Sequence, residues 1–167
     1  MLKKIHHVGV VVPELEAAMG FWRDLLGLKL TKMATIADQG VKAALLEAGG
    51  TEIELLEPLG PDNGVGRFLA RRGGGIHHVC FESDDVEREL EAAREKGLEL
   101  IDQKPRPGLA GMICFLHPRA TRGVLVEYAQ PIAEEVAPAP VKTKAAKAKK
   151  APAHGAKSAS PRAKRAK

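Results

Sequence analysis

The sequence is poor in aromatic side chains, which make up 4% of its 167 residues. Its core must therefore be mostly aliphatic, and an apolar share of 44% is enough to build one. Cysteine is nearly absent. Cys80 and Cys114 are too few for a disulfide framework and stand in strand-like apolar runs, so buried free thiols are expected. No apolar run approaches the roughly 18 residues that a membrane-spanning helix needs. The opening stretch MLKKIHHVGVVVPE alternates like a strand and lacks a small-residue cleavage site. No signal peptide is read there, and a cytoplasmic protein is expected. Acidic residues are missing from 136 to 167, where ten Lys or Arg stand. Residues 1 to 135 hold 16 basic and 21 acidic side chains, so the net +5 hides an acidic body of net −5. A body of that sign argues against a basic nucleic-acid-binding face.

The basic stretch is built of Ala, Lys, Pro and small polar residues, with two Val and no Leu, Ile, Phe, Trp or Tyr. It has too little apolar surface to offset the entropy of ordering. The expected organisation is one domain over 1–133 and a disordered tail over 134–167. Residues 136–167 are suited to weak, salt-dependent contact with nucleic acid or another polyanion.

Within the body, IHHV occurs at 5–8 and again at 76–79. Each copy opens a strand-like run. Each run is followed by an acidic segment, PELE at 13–16 and SDDVE at 83–87, suited to a helix N-terminus. Apolar positions at helical spacing follow: Leu15, Met19, Trp22 and Leu26 in the first copy, Val86, Leu90 and Ala93 in the second. Gly27 and Gly97 mark the two helix ends, and LKL or LEL then starts a strand. VKAALLEAGGTEIELLEPL holds two more strand-like runs around Gly-Gly, and GMICFLHPRATRGVLVEYAQPI two around HPRATRG. The chain thus spells strand, helix and about three strands twice, in modules near 3–60 and 74–132. Two copies at this spacing fit a duplication within one α+β domain better than a stacked array.

His7 and His78 correspond at an offset of 71, and Glu54 and Glu127 at 73. Each module therefore offers a histidine on its first strand and a carboxylate on its last. If the modules pack about a pseudo-twofold axis, two imidazoles and two carboxylates converge. That donor set suits a divalent first-row metal such as Co, Mn, Ni, Fe or Zn, with positions left open for a substrate's oxygens. Neighbours in a strand face opposite ways, so only one of His6/His7 and one of His77/His78 is expected to face the site. The residues alone do not choose which.

This duplicated βαβββ pattern, with candidate ligands on first and last strands, resembles the vicinal oxygen chelate (glyoxalase-like) superfamily. Within it, QGV at 39–41, TEIELLEPLGPD at 51–62, RFLARRGGGIHHVCFE at 67–82, KGLELIDQKPRPGLAG at 96–111 and FLHPRATRGVLVEYAQ at 115–130 resemble the methylmalonyl-CoA epimerases. The likeness runs from residue 3 to about 130. It implies metal ligation by His7, Glu54, His78 and Glu127, the second histidine of each pair being the match. The implied ion is Co2+ first, with Mn2+, Ni2+ or Zn2+ as others. The implied reaction interconverts (2R)- and (2S)-methylmalonyl-CoA through a C2 enolate, with Glu127 or Glu54 as proton carrier on one face, an ordered water or another side chain on the other, and Gln39 as a positioning group. A homodimer is also implied. Arg71, Arg72, Arg106, Arg119 and Arg122 are candidates for the phosphates of coenzyme A, while His117 and Pro118 read as turn structure. The sequence departs from the pattern at Glu54, where some epimerases have Gln, and at Ala43, where some bacterial epimerases carry a glutamate base four residues after the glutamine of QGV. Two other readings belong to the same fold: a glyoxalase-I-like isomerase acting on a glutathione hemithioacetal with the same ligands, and a non-catalytic small-molecule-binding module. An extradiol dioxygenase, with two His and one Glu on iron and a longer chain, fits less well.

Overall fold

The structure is a computed structural model that describes residues 1–132. The tail expected at 134–167 lies outside the described residues. Both modules are present. The first comprises β1 (Leu2–Val11), α1 (Leu15–Met19), β2 (Lys29–Ile36), β3 (Val41–Ala48) and β4 (Thr51–Pro58). A linking helix, α2 (Gly64–Arg72), follows. The second comprises β5 (Gly75–Ser83), α3 (Val86–Glu95), β6 (Arg106–Gly108), β7 (Gly111–Leu116) and β8 (Leu125–Gln130). The eight strands form one sheet in the order β2-β3-β4-β1-β5-β8-β7-β6. The first strands β1 and β5 pair antiparallel at its centre, flanked in parallel by the last strands β4 and β8. The duplication therefore places all four ligand-bearing strands side by side. No helix among the described residues is long and apolar enough to cross a membrane.

Several local expectations are corrected. The expected helix through Leu26 keeps α-geometry only over Leu15–Met19 and continues as a π-helical turn over Gly20–Leu25, closed by Leu26 N–H donating to Phe21 O. Gly20, a poor helix former, stands where the change begins. Leu15 and Met19 are buried as expected, while Leu26 is exposed. In the second module LEL makes only an isolated bridge, Leu100 to Leu116, and β6 has three residues. Pro105 and Pro107 deny that segment two backbone donors. The helix α2 was not expected, although its apolar Val65, Phe68 and Leu69 stand at helical spacing and pack on the core. It is set by the Asn63 side chain, which accepts from Gly66 N–H at 2.8 Å, and by Gly73 at φ 73°.

The helices α1 and α3 share a cap that the sequence reading missed. Leu15 N–H donates to Glu57 Oε2 at 2.7 Å, and Val86 N–H donates to Gln130 Oε1 at 3.1 Å. Leu15 and Val86 stand 71 apart and Glu57 and Gln130 stand 73 apart, the offsets of the candidate ligands. In each module the end of the last strand thus ties down the start of the helix. Apolar packing completes each half: Leu15 and Met19 against Ala44, Leu46 and Leu55, and Val86 and Leu90 against Cys114. Cys80 and Cys114 are buried free thiols.

Candidate metal centre

The register of the central strands sets the site. On one rung Glu54 of β4 lies beside Gly9 of β1, which faces His78 of β5. Two rungs along, past Val8 and Val79, Glu127 of β8 lies beside Cys80 of β5, which faces His7 of β1. Each rung carries a carboxylate from one module and an imidazole from the other, so neither module holds a complete half-site. Gly9 leaves the space that the His78 ring fills, since a Cβ built there would meet His78 Cε1 at 2.1 Å.

The four side chains meet in the interior. Glu127 Oε2 lies 3.1 Å from His7 Nε2 and 2.8 Å from His78 Nε2. Glu54 Oε2 lies 3.4 Å from both nitrogens. The two Nε2 atoms are 3.0 Å apart. All four candidate ligand atoms fall within 4.8 Å of one another, and all four residues are buried. Two imidazole nitrogens and two carboxylate oxygens facing inward, with no Lys or Arg among them, form a buried acidic donor set that fits a divalent cation.

The protonation balance agrees with a shared positive charge. Burial works to lower the His7 pKa, but hydrogen bonding with Cys80, Glu127 and Glu54 outweighs it and raises the pKa well above the usual imidazole value. Burial is likewise outweighed at His78, by Glu127 and Glu54, and its pKa rises. The two imidazoles in turn overcome the burial of Glu54 and Glu127 and hold both carboxyls below the usual range. The other two histidines behave oppositely. Burial, then the neighbouring His78, pushes His77 down to about 4, and burial, then His7, lowers His6. The Cys80 thiol is pushed up to about 12 by burial and stays protonated.

Strict alternation does not hold at the histidine pairs. His6 is an extra residue on β1, between Ile5 facing Phe81 and His7 facing Cys80. His77 is the matching extra residue on β5, between Ile76 facing Val10 and His78 facing Gly9. Each is a β-bulge that re-aims its side chain. His77 lines the cavity above the cluster together with His78, while the cluster itself takes one histidine of each pair, His7 and His78.

That cavity, of about 330 Å³, is lined by Glu54, His78 and Glu127 and by the apolar Val41, Leu56 and Phe115. Gln39 lines it too and donates through Nε2 to Pro107 O at 3.0 Å. Of the five arginines, Arg106 alone lines it. Its Nε donates to Asp102 at 3.0 Å, its guanidinium lies over the Phe115 ring, and its Nη1 is buried without a partner. Arg119 pairs instead with exposed Glu99. His117 Nδ1 accepts from Arg119 N–H at 3.1 Å, the turn role expected of it. Ala43 is fully buried against Val11, Val41 and Leu56. Neither Lys42, paired with Glu57, nor Glu47 lines the cavity.

Residues 6–115 match the sequence profile of the Glyoxalase/Bleomycin resistance protein/Dioxygenase superfamily. The chain is 35% identical over 133 residues to an ethylmalonyl-CoA/methylmalonyl-CoA epimerase of Cereibacter sphaeroides, an alignment spanning 78% of this chain and 99% of that one. It is 37% identical over 131 residues to the mitochondrial methylmalonyl-CoA epimerase of Mus musculus, spanning 77% of this chain and 74% of the relative. Among solved structures, a methylmalonyl-CoA epimerase in complex with methylmalonyl-CoA and ammonium superposes with a TM-score of 0.77 at 34% identity, covering 80% of this chain and 97% of that one.

Proposed function

The chain belongs to the glyoxalase/bleomycin resistance protein/dioxygenase superfamily, and on that premise we propose that it is a metal-dependent epimerase interconverting (2R)- and (2S)-methylmalonyl-CoA. The observation that carries this reading is the buried cluster of His7, Glu54, His78 and Glu127 beside a cavity, in a chain whose relatives along most of its length are methylmalonyl-CoA epimerases. The same four residues are the ligands in this reading. The ion is Co2+ ahead of Mn2+, Ni2+ or Zn2+, and the enzyme is a homodimer. These finer assignments rest on the family resemblance.

A bound divalent ion supplies Lewis acidity that stabilises negative charge developing on a thioester oxygen. The chain's own residues do the rest. His7 and His78 hold their Nε2 atoms toward each other within the cluster from opposite modules. Val41, Leu56 and Phe115 present apolar walls that limit water around the C2 carbon. Arg106, with its unpartnered Nη1, orients the anionic substrate. Glu127 accepts the C2 proton on one face, and Glu54, reaching the cluster from the other module, serves the other. Ala43 offers no base and Lys42 and Glu47 lie outside the cavity lining, whereas Asp38 and His77 line the cavity beside the two cluster carboxylates. Incubating Co2+-loaded protein with (2S)-methylmalonyl-CoA should bring the two epimers to equal amounts. A protein that leaves this substrate unchanged while isomerising a glutathione hemithioacetal would overturn the reading.

A further inference from the structure

Each candidate ligand histidine is preceded by a second histidine that the ligand set does not use. His6 Nδ1 stands 3.0 Å from His7 Nδ1, and His77 Nδ1 stands 3.0 Å from His78 Nδ1. The two contacts repeat at the 71-residue offset of the modules, and each sits at a β-bulge that turns the preceding side chain toward its neighbour. Two ring nitrogens at this distance share one hydrogen: one donates and the other accepts in its lone pair. His7 and His78 point Nε2 into the cluster. For both Nε2 atoms to offer lone pairs to a cation at once, both Nδ1 atoms must carry the hydrogen. A ligand histidine ordinarily gives that hydrogen to a carboxylate, a backbone carbonyl or a water. Here the acceptor in range is another imidazole.

We propose that His6 and His77 are positioning residues that accept a hydrogen bond at Nδ1 from His7 and His78, fixing both in the Nδ1–H tautomer with Nε2 bare toward the cation. The doubled histidine is then a tautomer lock, present once per module. This inference rests on the metal-centre reading above. The lock is uneven. His7 has a second neighbour, since Cys80 Sγ and the ring nitrogens of His6 and His7 fall within 4.8 Å of one another. At the equivalent place beside His78 stands Gly9, which has no side chain. Among the described residues, no side chain other than His77 bonds to His78 Nδ1. The ring of His77 is itself held edge-on by Phe68, with centroids 4.9 Å apart. The second module therefore depends on its lock more than the first.

The test replaces His77 by Phe, which keeps a ring without an acceptor, and by Asn, whose Oδ1 takes the place of Nδ1. The same pair of changes is made at His6. Co2+ affinity is read by competition with a chromophoric chelator, and the tautomer by 15N shifts of the imidazoles in Zn2+-loaded protein. His77→Phe should weaken Co2+ binding by about 10- to 100-fold, while His77→Asn stays much nearer wild type and His6→Phe loses less. His7 and His78 should both show Nδ1–H in the wild type. Unchanged affinity in both Phe variants, equal loss in Phe and Asn variants, or a hydrogen on Nε2 would overturn the lock while leaving the metal centre standing. A wild-type chain that binds no Co2+ would overturn both. If His77→Phe does not fold, the His6 pair reads the same lock from the less buried side.

Discussion

In the first module β2, β3 and β4 each run eight residues, whereas their counterparts β6, β7 and β8 run three, six and six. The helices differ the other way. The first keeps α-geometry for five residues before a π-turn, while the second runs ten and is also capped by Asp85, whose Oδ1 accepts from Arg88 N–H at 3.0 Å. What stays matched is narrower: the histidine pair with its bulge, the carboxylate on the last strand, and the Glu57 or Gln130 cap. The parts that build the centre and fix its strands to a helix have kept their correspondence. The covering elements have kept only their order. Even the matched pairs are unequal in detail, because Gly9 stands where Cys80 does and Glu54 lies farther from the imidazoles than Glu127.

That inequality has measurable consequences. The largest is expected at the carboxylates. Glu127→Gln should cut proton exchange at C2 by about 10²- to 10⁴-fold with substrate affinity little changed. Glu54→Gln should cut it less, since Glu54 makes the longer contacts at 3.4 Å and Gln keeps an oxygen donor. Equal losses would make the two carboxylates equivalent. Next, Gly9→Ala drives a methyl into the His78 ring and should weaken metal binding by about 10- to 100-fold. Cys80→Ala, at the equivalent place, should do far less. An unaffected Gly9→Ala protein would mean that the His78 ring has room elsewhere.

The response to pH has a defined sign. Metal binding needs both imidazoles unprotonated, and in the free protein both pKa values are raised above 6.5. Co2+ affinity should therefore fall with acidification starting above pH 6.5. Without metal, raised imidazole values contribute stability that is complete below the unfolded value near 6.5 and is lost as pH rises through the folded values. The apo melting temperature should thus fall on going to alkaline pH while metal affinity rises. A metal titration whose affinity begins to drop only well below pH 6.5 would contradict the raised values. Smaller again are the caps. Glu57→Ala should cost about 1 kcal/mol in urea unfolding, and Gln130→Ala less, because α3 keeps the Asp85 cap. Removing residues 134–167 should leave turnover unchanged.

Much of this arrangement is legible in the sequence because duplication repeats it. Two copies of IHHV and two carboxylates at nearly equal offsets point to Glu54, Glu127 and one histidine of each pair before any coordinates are available, and the family resemblance picks His7 and His78. Alternation could not choose within each pair, since a bulge inserts one residue and breaks the period of two on which that argument rests. The helix α2 does leave local signals, Asn63 before it, Val65, Phe68 and Leu69 at helical spacing and Gly73 after it, but it falls between the two modules, where the repeat offers no second copy for comparison. The truncation of β6 is foreshadowed by Pro105 and Pro107. The shared caps at Glu57 and Gln130 are long-range and leave no local signal.

The central claim is that two incomplete modules make one centre for proton transfer at C2. It is tested most directly by incubating methylmalonyl-CoA in D2O with Co2+-loaded protein, with chelated protein and with a loaded His7→Ala variant, and following deuterium at C2 together with stereochemistry. Deuterium incorporation and loss of stereochemical purity are expected with the loaded wild type alone. Exchange that persists after chelation or in the His7→Ala protein would contradict it, as would a loaded wild type that leaves C2 untouched.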